Sequence, residues 1–481
     1  MRAALRNLVV TKPLRIPPRP WAAFGMRRVV RDYAGPACRV ARTSDGVEVD
    51  LYFASGDHGA PVDLTPMGAG TGRFVGLYDQ SGNGRAMAKI TDAKRPLFDA
   101  ANFSFAGAPM VEFDGNQNLL NSTKSLALPA GNIDRGAITV LSVMDICASA
   151  QKGLMWEMSG TARVFGFTPR QAATTTDPNQ VEAGGSGGSD RANVLIRAQP
   201  MVVSIRNGAD SNKQIYISNA TATIAANAAT AMTGGTIGMN AQGDASRVPR
   251  GGMLAWIIYD RDLGSDFVRA SRALEALFKL DSGYADRLVI DGDSHADAYR
   301  TTRTWPRQFD RYLRAQGVAV PEIYNLGRSA FELENLVTML NNIVIPHYDP
   351  TKRRNILALD AACNDFLTGD SSTNVINYFT TYMTAVRAAG FKTIASTVRP
   401  RWASNAWTGS QLTHVTAYNT WIRANWATYA DAFADVAANP YTVATAAAND
   451  ADWWDYLHPG PLTLYDEMIN CWAPAIAALR A

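Results

Sequence analysis

Apolar and polar positions change period once along this chain, near residue 283. From about 32 to 264 the apolar stretches are short and broken by Gly, Asn, Ser and Thr, as at Ala137 to Ile146, Val202 to Ile205, Gln214 to Ser218 and Met253 to Tyr259. Short strands punctuated by turn residues predict an antiparallel β-sandwich. Phe267, Ala270, Leu274, Leu277 and Phe278 then share one face of a 3.6-residue repeat, which predicts one helix closing the sandwich. After Asp281-Ser282-Gly283 the pattern becomes apolar strands alternating with amphipathic helices. The predicted strands are Leu288 to Ile290, Ile323 to Asn325, Ile356 to Leu359, Thr393 to Val398 and Phe433 to Val436, and Leu333, Leu336, Val337 and Leu340 predict a helix among them. Repeated strand–helix units fold as an α/β doubly wound parallel sheet, which places ligands at the carboxyl ends of its strands. The expected organisation is multidomain: a basic, Pro-containing arm over 1–31, a sandwich over 32–281 and the α/β domain over 285–481.

Four polar clusters fall just past those strand ends or in the terminal loop. They are Asp291-Gly292-Asp293-Ser294-His295, Gly327, Ala362-Cys363-Asn364-Asp365 and Asp455-Tyr456-Leu457-His458-Pro459. Each alone has a plainer reading: Asp293-Ser294 and Asn364-Asp365 as helix caps, 455–458 as a surface turn. Together they supply a hydroxyl nucleophile, a base, a group that orients it, and amide donors for an oxyanion, which is what acyl transfer needs. Of the five histidines, His458 alone has an acid three residues upstream and a proline directly after it. His295 abuts the serine, His58 lies in the sandwich, His347 ends a helix and His414 opens one.

In order and spacing these blocks resemble the SGNH (GDSL-type) hydrolases over roughly residues 285 to 481. The resemblance implies Ser294 as nucleophile, His458 as general base and Asp455 as the residue that orients it. It implies an oxyanion hole of the Ser294 and Gly327 backbone amides and the Asn364 side chain. One position departs from the family, whose third block usually carries Gly where this chain has Ala362. Upstream, Tyr78-Asp79-Gln80-Ser81-Gly82-Asn83-Gly84 and Val111-Glu112-Phe113-Asp114-Gly115 are similar to the concanavalin/laminin-G-like jelly-roll modules of glycan-active enzymes and phage tail proteins, over about 32 to 280, which implies a jelly-roll arrangement of the sandwich. The first motif is turn chemistry, a ligand contact, or a calcium site built from Asp79, Asn83 and Asp114.

Composition narrows the picture. With 481 residues, 47% hydrophobic and 19% charged, the chain is globular and long enough for two cores. Its net charge of +3 is unevenly spread: residues 1–31 hold eight bases and no acid, leaving 38 bases against 43 acids. The mildly acidic body argues against a nucleic-acid partner. The arm, with Pro13, Pro17, Pro18 and Pro20, is either an extended tether or a disordered end. Four cysteines without a CxxC pair indicate neither a zinc knuckle nor a disulfide framework, and no metal or other cofactor is expected. No apolar run nears the ~18 residues of a membrane span, and Leu8-Val9-Val10 is too short for a secretory signal, so an extracellular or virion-tail location would be reached without one. Gly184 to Gly188 formally spells Gly-x-Ser-x-Gly but lacks the strand–helix setting of a nucleophile elbow, and Gly68 to Gly72 lacks that of a dinucleotide loop.

Eight of eleven tryptophans follow residue 300. Trp402, Trp407 and Trp454, in loops expected to rim the site, are candidate substrate-binding residues for the apolar faces of sugars, with core packing as the alternative. The expected activity is a serine esterase that removes short acyl groups, acetyl above all, from an acylated polysaccharide or other glycan. The competing expectation is a phage-tail or receptor-binding protein with an accessory or vestigial esterase, a homo-oligomer that would be trimeric as a tail protein. A lipid esterase is a third.

Overall fold

The computed structural model describes residues 15–68, 70–89, 95–101, 104–114, 126–128, 133–134, 137–146, 156–159, 163–170, 180–183, 191–208, 212–218, 220–225, 231–232, 234–237, 250–280, 283–297, 303–401, 406–447 and 457–481. The candidate residues Asp455, Trp402 and Trp454, the glycine run 184–188 and the junction residues 281 and 282 lie outside these.

The first part of the chain is antiparallel throughout its described pairings, with 18 described strands joined in one hydrogen-bonded network and two further two-stranded pairs beside it. Its spine is the strand Arg250–Tyr259, paired to Ile138–Ile146, which in turn pairs with Met201–Asn207. Every residue of Ile138–Ile146 is buried, and the helix Asp266–Leu277 seats Phe267, Ala270 and Leu274 in the same core. The helix therefore falls where the 3.6-residue repeat put it.

The expected arm does not run to residue 31. Ala22–Gly25 is a buried strand in register with Arg250–Tyr259, because small apolar side chains suit that packed edge. The motif at 79–84 stitches it in place. Asp79 Oδ1 accepts the Ala23 and Ser81 amides, each at 2.9 Å, and Oδ2 accepts Ser81 Oγ at 2.7 Å and the Arg85 amide at 3.0 Å. Gln80 accepts the Val29 amide at 2.8 Å and donates to the Gly25 and Arg27 carbonyls, while Asn83 Nδ2 donates to Pro20 and Trp21. Gly82 and Gly84 have φ of 83° and 72°, which turn chemistry requires. Both Asp79 oxygens are thus occupied by protein donors, which favours the turn reading over a calcium site; among the described residues no cluster of three potential metal ligands occurs.

The second part contains five parallel strands: β1 (Asp286–Gly292), β2 (Glu322–Asn325), β3 (Arg354–Asp360), β4 (Lys392–Ser396) and β5 (Ala432–Ala434). Their order in the sheet is β2-β1-β3-β4-β5, all parallel. β4 and β5 end about two residues earlier than the apolar runs suggested, and the chain turns into a short 3₁₀ helix at Val436–Ala438. Side chains alternate between two helix layers. Leu288 and Ile290 face Trp305, Phe309 and Leu313 of α1 (Trp305–Ala315), together with Trp472. Val289 faces Leu333, Leu336 and Leu340 of α2 (Leu333–Ile343). Burial on both faces is why the strands read as nearly continuous apolar runs. The chain reverses its direction of winding between β1 and β3, the position beside which sheets of this topology place their ligands.

The two parts are in contact. The segment after residue 193 leaves the antiparallel network and lies along β2: the Ala198 amide donates to the Ile323 carbonyl at 2.8 Å, and Gln199 accepts the Ile323 amide at 2.9 Å. Arg307 on α1 pairs with Asp145 at 2.5 Å, and Arg303 with Asp99 at 2.6 Å.

Replacing Asp79 with Ala should cost about 2–4 kcal/mol of stability, since several backbone donors lose their acceptor. Chemical denaturation measures this. Adding EDTA to the unsubstituted protein should leave the denaturation midpoint in place; a midpoint that drops on chelation would identify a bound cation instead.

Candidate active site

β1 ends in Gly292, and the turn that carries Ser294 begins at once. A Cβ on Gly292 would run into the Asp360 carbonyl at the end of β3, so only glycine lets the two strand ends close. The Asp293 amide donates to that same carbonyl at 3.1 Å, and the Asp297 amide to the Asp293 carbonyl at 3.0 Å. The result is a tight turn over 293–297 at the carboxyl end of β1, in which the Asp293 side chain accepts the His295 amide as a cap residue does. Gly327, beyond β2, backs onto it: a Cβ there would collide with the Asp297 amide and lie 2.8 Å from the Ala296 methyl.

Ser294 and His458 meet, 164 residues apart in sequence, with Ser294 Oγ 2.7 Å from His458 Nε2. Both are nearly buried, at 8% and 7% exposure, so their contact is shielded from bulk water. His347 and His414 have other partners. His347 is buried, donates from Nδ1 to the Ile343 carbonyl at 2.9 Å, and is pushed by burial down to about 3. His414 accepts the Ser372 amide at 3.3 Å.

Asp293 ties this turn to its surroundings. Its Oδ1 accepts both the His295 amide and His295 Nδ1 at 2.9 Å, and its Oδ2 accepts the Cys363 amide at 3.2 Å. Burial alone would raise the carboxyl, but the His295 ring and amide, with the charge of Arg399, hold it below the usual carboxylate range. His295 in turn reaches the Leu457 carbonyl through Nε2 at 3.1 Å.

Asn364 lies in α3 (Cys363–Thr368), directly after β3, and its Nδ2 donates to the Phe331 carbonyl at 2.9 Å. That bond uses one of its two amide hydrogens and leaves the other. The Gly327 amide donates to Asn325 Oδ1 at 3.1 Å, while Asn325 Nδ2 donates to the Ala296 carbonyl at 2.7 Å. Gly327 is therefore required here for close approach, and its amide is already engaged. Asp365 caps α2 rather than its own helix, accepting the Leu333 amide at 2.9 and 3.0 Å, and burial pushes it up to about 7.

Trp407 is 7% exposed, packed edge-on against Phe366, with Nε1 donating to the Arg399 carbonyl at 3.1 Å. Its ring pins the loop after β4 rather than offering a free face, which is the packing alternative. Arg399 itself lies between Asp360 at 2.6 Å and Glu467 at 2.7 Å, all three buried.

Two features were missed in the sequence. His295 looked like a bystander beside the serine. Ala362 and Ala330 adopt left-handed backbone, with φ of 82° and 66°, in the loops after β3 and β2. The departure at Ala362 thus keeps the backbone turn that glycine would make, with its methyl buried. Only positive φ marks such positions, and alanine carries no sequence signal for it.

No family model matches this sequence, and no curated protein matches it. Among solved structures, a GH54 α-L-arabinofuranosidase soaked with a cyclic sulfate inhibitor is 15% identical over 54% of this chain and 62% of its own, with a TM-score of 0.43. This chain therefore spans less than two thirds of that enzyme's length. A member of the lipolytic protein G-D-S-L family from Veillonella parvula is 19% identical over 41% of this chain and 98% of its own, with a TM-score of 0.33. The psychrotrophic esterase EstA from a Pseudoalteromonas species is 15% identical over 40% and 99%, with a TM-score of 0.31.

Because left-handed backbone costs an L-residue about 1–2 kcal/mol, while glycine gives back part of that in the unfolded chain, Ala330→Gly should stabilise the fold by up to about 1 kcal/mol. Thermal unfolding should show a midpoint at or above that of the unsubstituted protein; a lower one would mean that the methyl contributes packing.

Proposed function

We propose that this chain is a serine esterase, with Ser294 as nucleophile and His458 as general base. The 2.7 Å contact between Ser294 Oγ and His458 Nε2 carries this reading. A serine hydroxyl attacks well only when a neutral imidazole can take its proton as the new bond forms.

In this reading Ser294 Oγ attacks the ester carbonyl carbon while its proton passes to His458 Nε2. The carbonyl oxygen becomes an oxyanion, stabilised by the Ser294 amide and the remaining Asn364 amide hydrogen. Gly327 would join them by exchanging its bond to Asn325. On collapse the ester C–O bond breaks and His458 returns its proton to the departing alkoxide. Water then attacks the acyl-serine, giving a proton to His458, and the acid leaves as Ser294 regains its hydrogen. Asp455 is the proposed partner of the other imidazole nitrogen.

The preferred substrate in this proposal is an O-acetylated carbohydrate. Support comes from Trp402 and Trp454, placed by sequence in the loops after β4 and before His458, and from an antiparallel part fixed against α1 by the buried Arg307–Asp145 pair. A glycan held by that part would lie on the same body as the hydrolytic turn.

Turnover of p-nitrophenyl acetate tests the chemistry. Ser294→Ala and His458→Ala should each lower kcat by roughly 10⁴-fold or more, and Asn364→Ala by about 10²- to 10³-fold. An Asn364→Ala protein as fast as the parent would remove that side chain from the oxyanion hole. For the substrate, acetate release from a panel of acetylated polysaccharides should exceed hydrolysis of long-chain p-nitrophenyl esters; the reverse preference would assign a lipid esterase.

A further inference from the structure

His295 occupies a position that the proposed reaction does not use. Its ring is buried, and each ring nitrogen faces an oxygen acceptor: Nδ1 the Asp293 carboxylate at 2.9 Å, Nε2 the Leu457 carbonyl at 3.1 Å. The Leu457 carbonyl belongs to the peptide that leads directly into His458. The two imidazole rings lie 5.6 Å apart, centroid to centroid, tilted by 39°.

We infer that His295 is a positioning residue: it clamps the Leu457–His458 peptide to the nucleophile turn and thereby sets the distance between Ser294 and the base. This rests on the reading of Ser294 and His458 as the reacting pair. A carbonyl oxygen has no hydrogen to give and an ionised carboxylate has none either, so both bonds require a proton on each nitrogen of His295. The clamp is complete only in the imidazolium form.

The charges around His295 agree with that state. Asp293 lies on its own turn, Asp360 at the end of β3, Arg399 at the end of β4, and the His458 ring in the terminal loop. Burial disfavours the charged ring, but Asp293 outweighs it and raises His295 above the usual imidazole range; Arg399 opposes and Asp360 assists. Asp360 is itself ion-paired to Arg399 at 2.6 Å, so Asp293 is the dominant counter-charge.

The sign of the pH dependence follows. A histidine whose folded value is raised contributes stability below the free-imidazole range and loses it as pH rises through the folded value. Rising pH therefore removes the Nε2–H bond to Leu457, and activity should fall on the alkaline side as the base loses its fixed place.

His295→Gln in the full-length protein should lower kcat on p-nitrophenyl acetate by about 10- to 100-fold, leave KM little changed, and remove the alkaline limb. Nitrogen-15 NMR of the ring-labelled parent should show one histidine with protons on both ring nitrogens at neutral pH, its signals absent from the variant. If Ser294→Ala retains parental activity, the esterase reading itself fails. If Ser294→Ala is inactive while His295→Gln keeps both kcat and the alkaline limb, the clamp alone is wrong. Should His295→Gln fail to fold, the spectrum of the parent decides, and a His295 ring carrying one proton at neutral pH overturns the proposal.

Discussion

The carboxylate of Asp293 is the point on which the site depends. An ionised carboxylate taken out of water costs several kcal/mol unless its oxygens are satisfied. Here three N–H donors, from the His295 amide, the His295 ring and the Cys363 amide, meet two oxygens at 2.9 to 3.2 Å. Those donors come from the turn after β1 and the loop after β3, and through His295 the network extends to the loop that precedes His458. One buried charge thus draws together segments widely separated in sequence, and Ser294, beside it, inherits their relative positions.

Missing side chains matter as much as present ones. Gly292 lets the end of β1 close on the Asp360 carbonyl, and Gly327 lets the loop after β2 nest against 296 and 297. Each contact is backbone against backbone, which is stiffer than packing between long side chains. The Asp360 residue that receives β1 is held from below by Arg399 and by Trp305 Nε1 at 3.1 Å. The turn that carries Ser294 therefore stands on a charged, hydrogen-bonded floor.

The α/β half was the more legible in sequence, because strands buried on two faces leave long apolar runs and helices between them leave a 3.6-residue stripe. Ser294, Asn364 and His458 were found at strand ends or in the terminal loop for the same reason: a parallel sheet gathers its chemistry at one edge. What escaped notice was non-local. The strand at Ala22–Gly25 was assigned to a basic arm, since its pairing partner lies more than 220 residues away. The run of 194–200 along β2 has no periodic signature at all. Trp407 was placed on a rim by its loop, although an indole with a carbonyl in reach is readily drawn inward. The Gly327 amide was assigned to an oxyanion, but the neighbouring Asn325 side chain competes for it. His295 could not be weighed without the Leu457 carbonyl, which only the fold brings to it.

The central claim is that one serine, poised against one imidazole, carries the chemistry. Treating the full-length protein with a fluorophosphonate and mapping the adduct by peptide mass spectrometry tests it without any assumption about substrate. The account predicts a single stoichiometric adduct on Ser294 that fails to form when His458 is replaced by alanine. An unmodified Ser294, or equal labelling in the absence of His458, would contradict it.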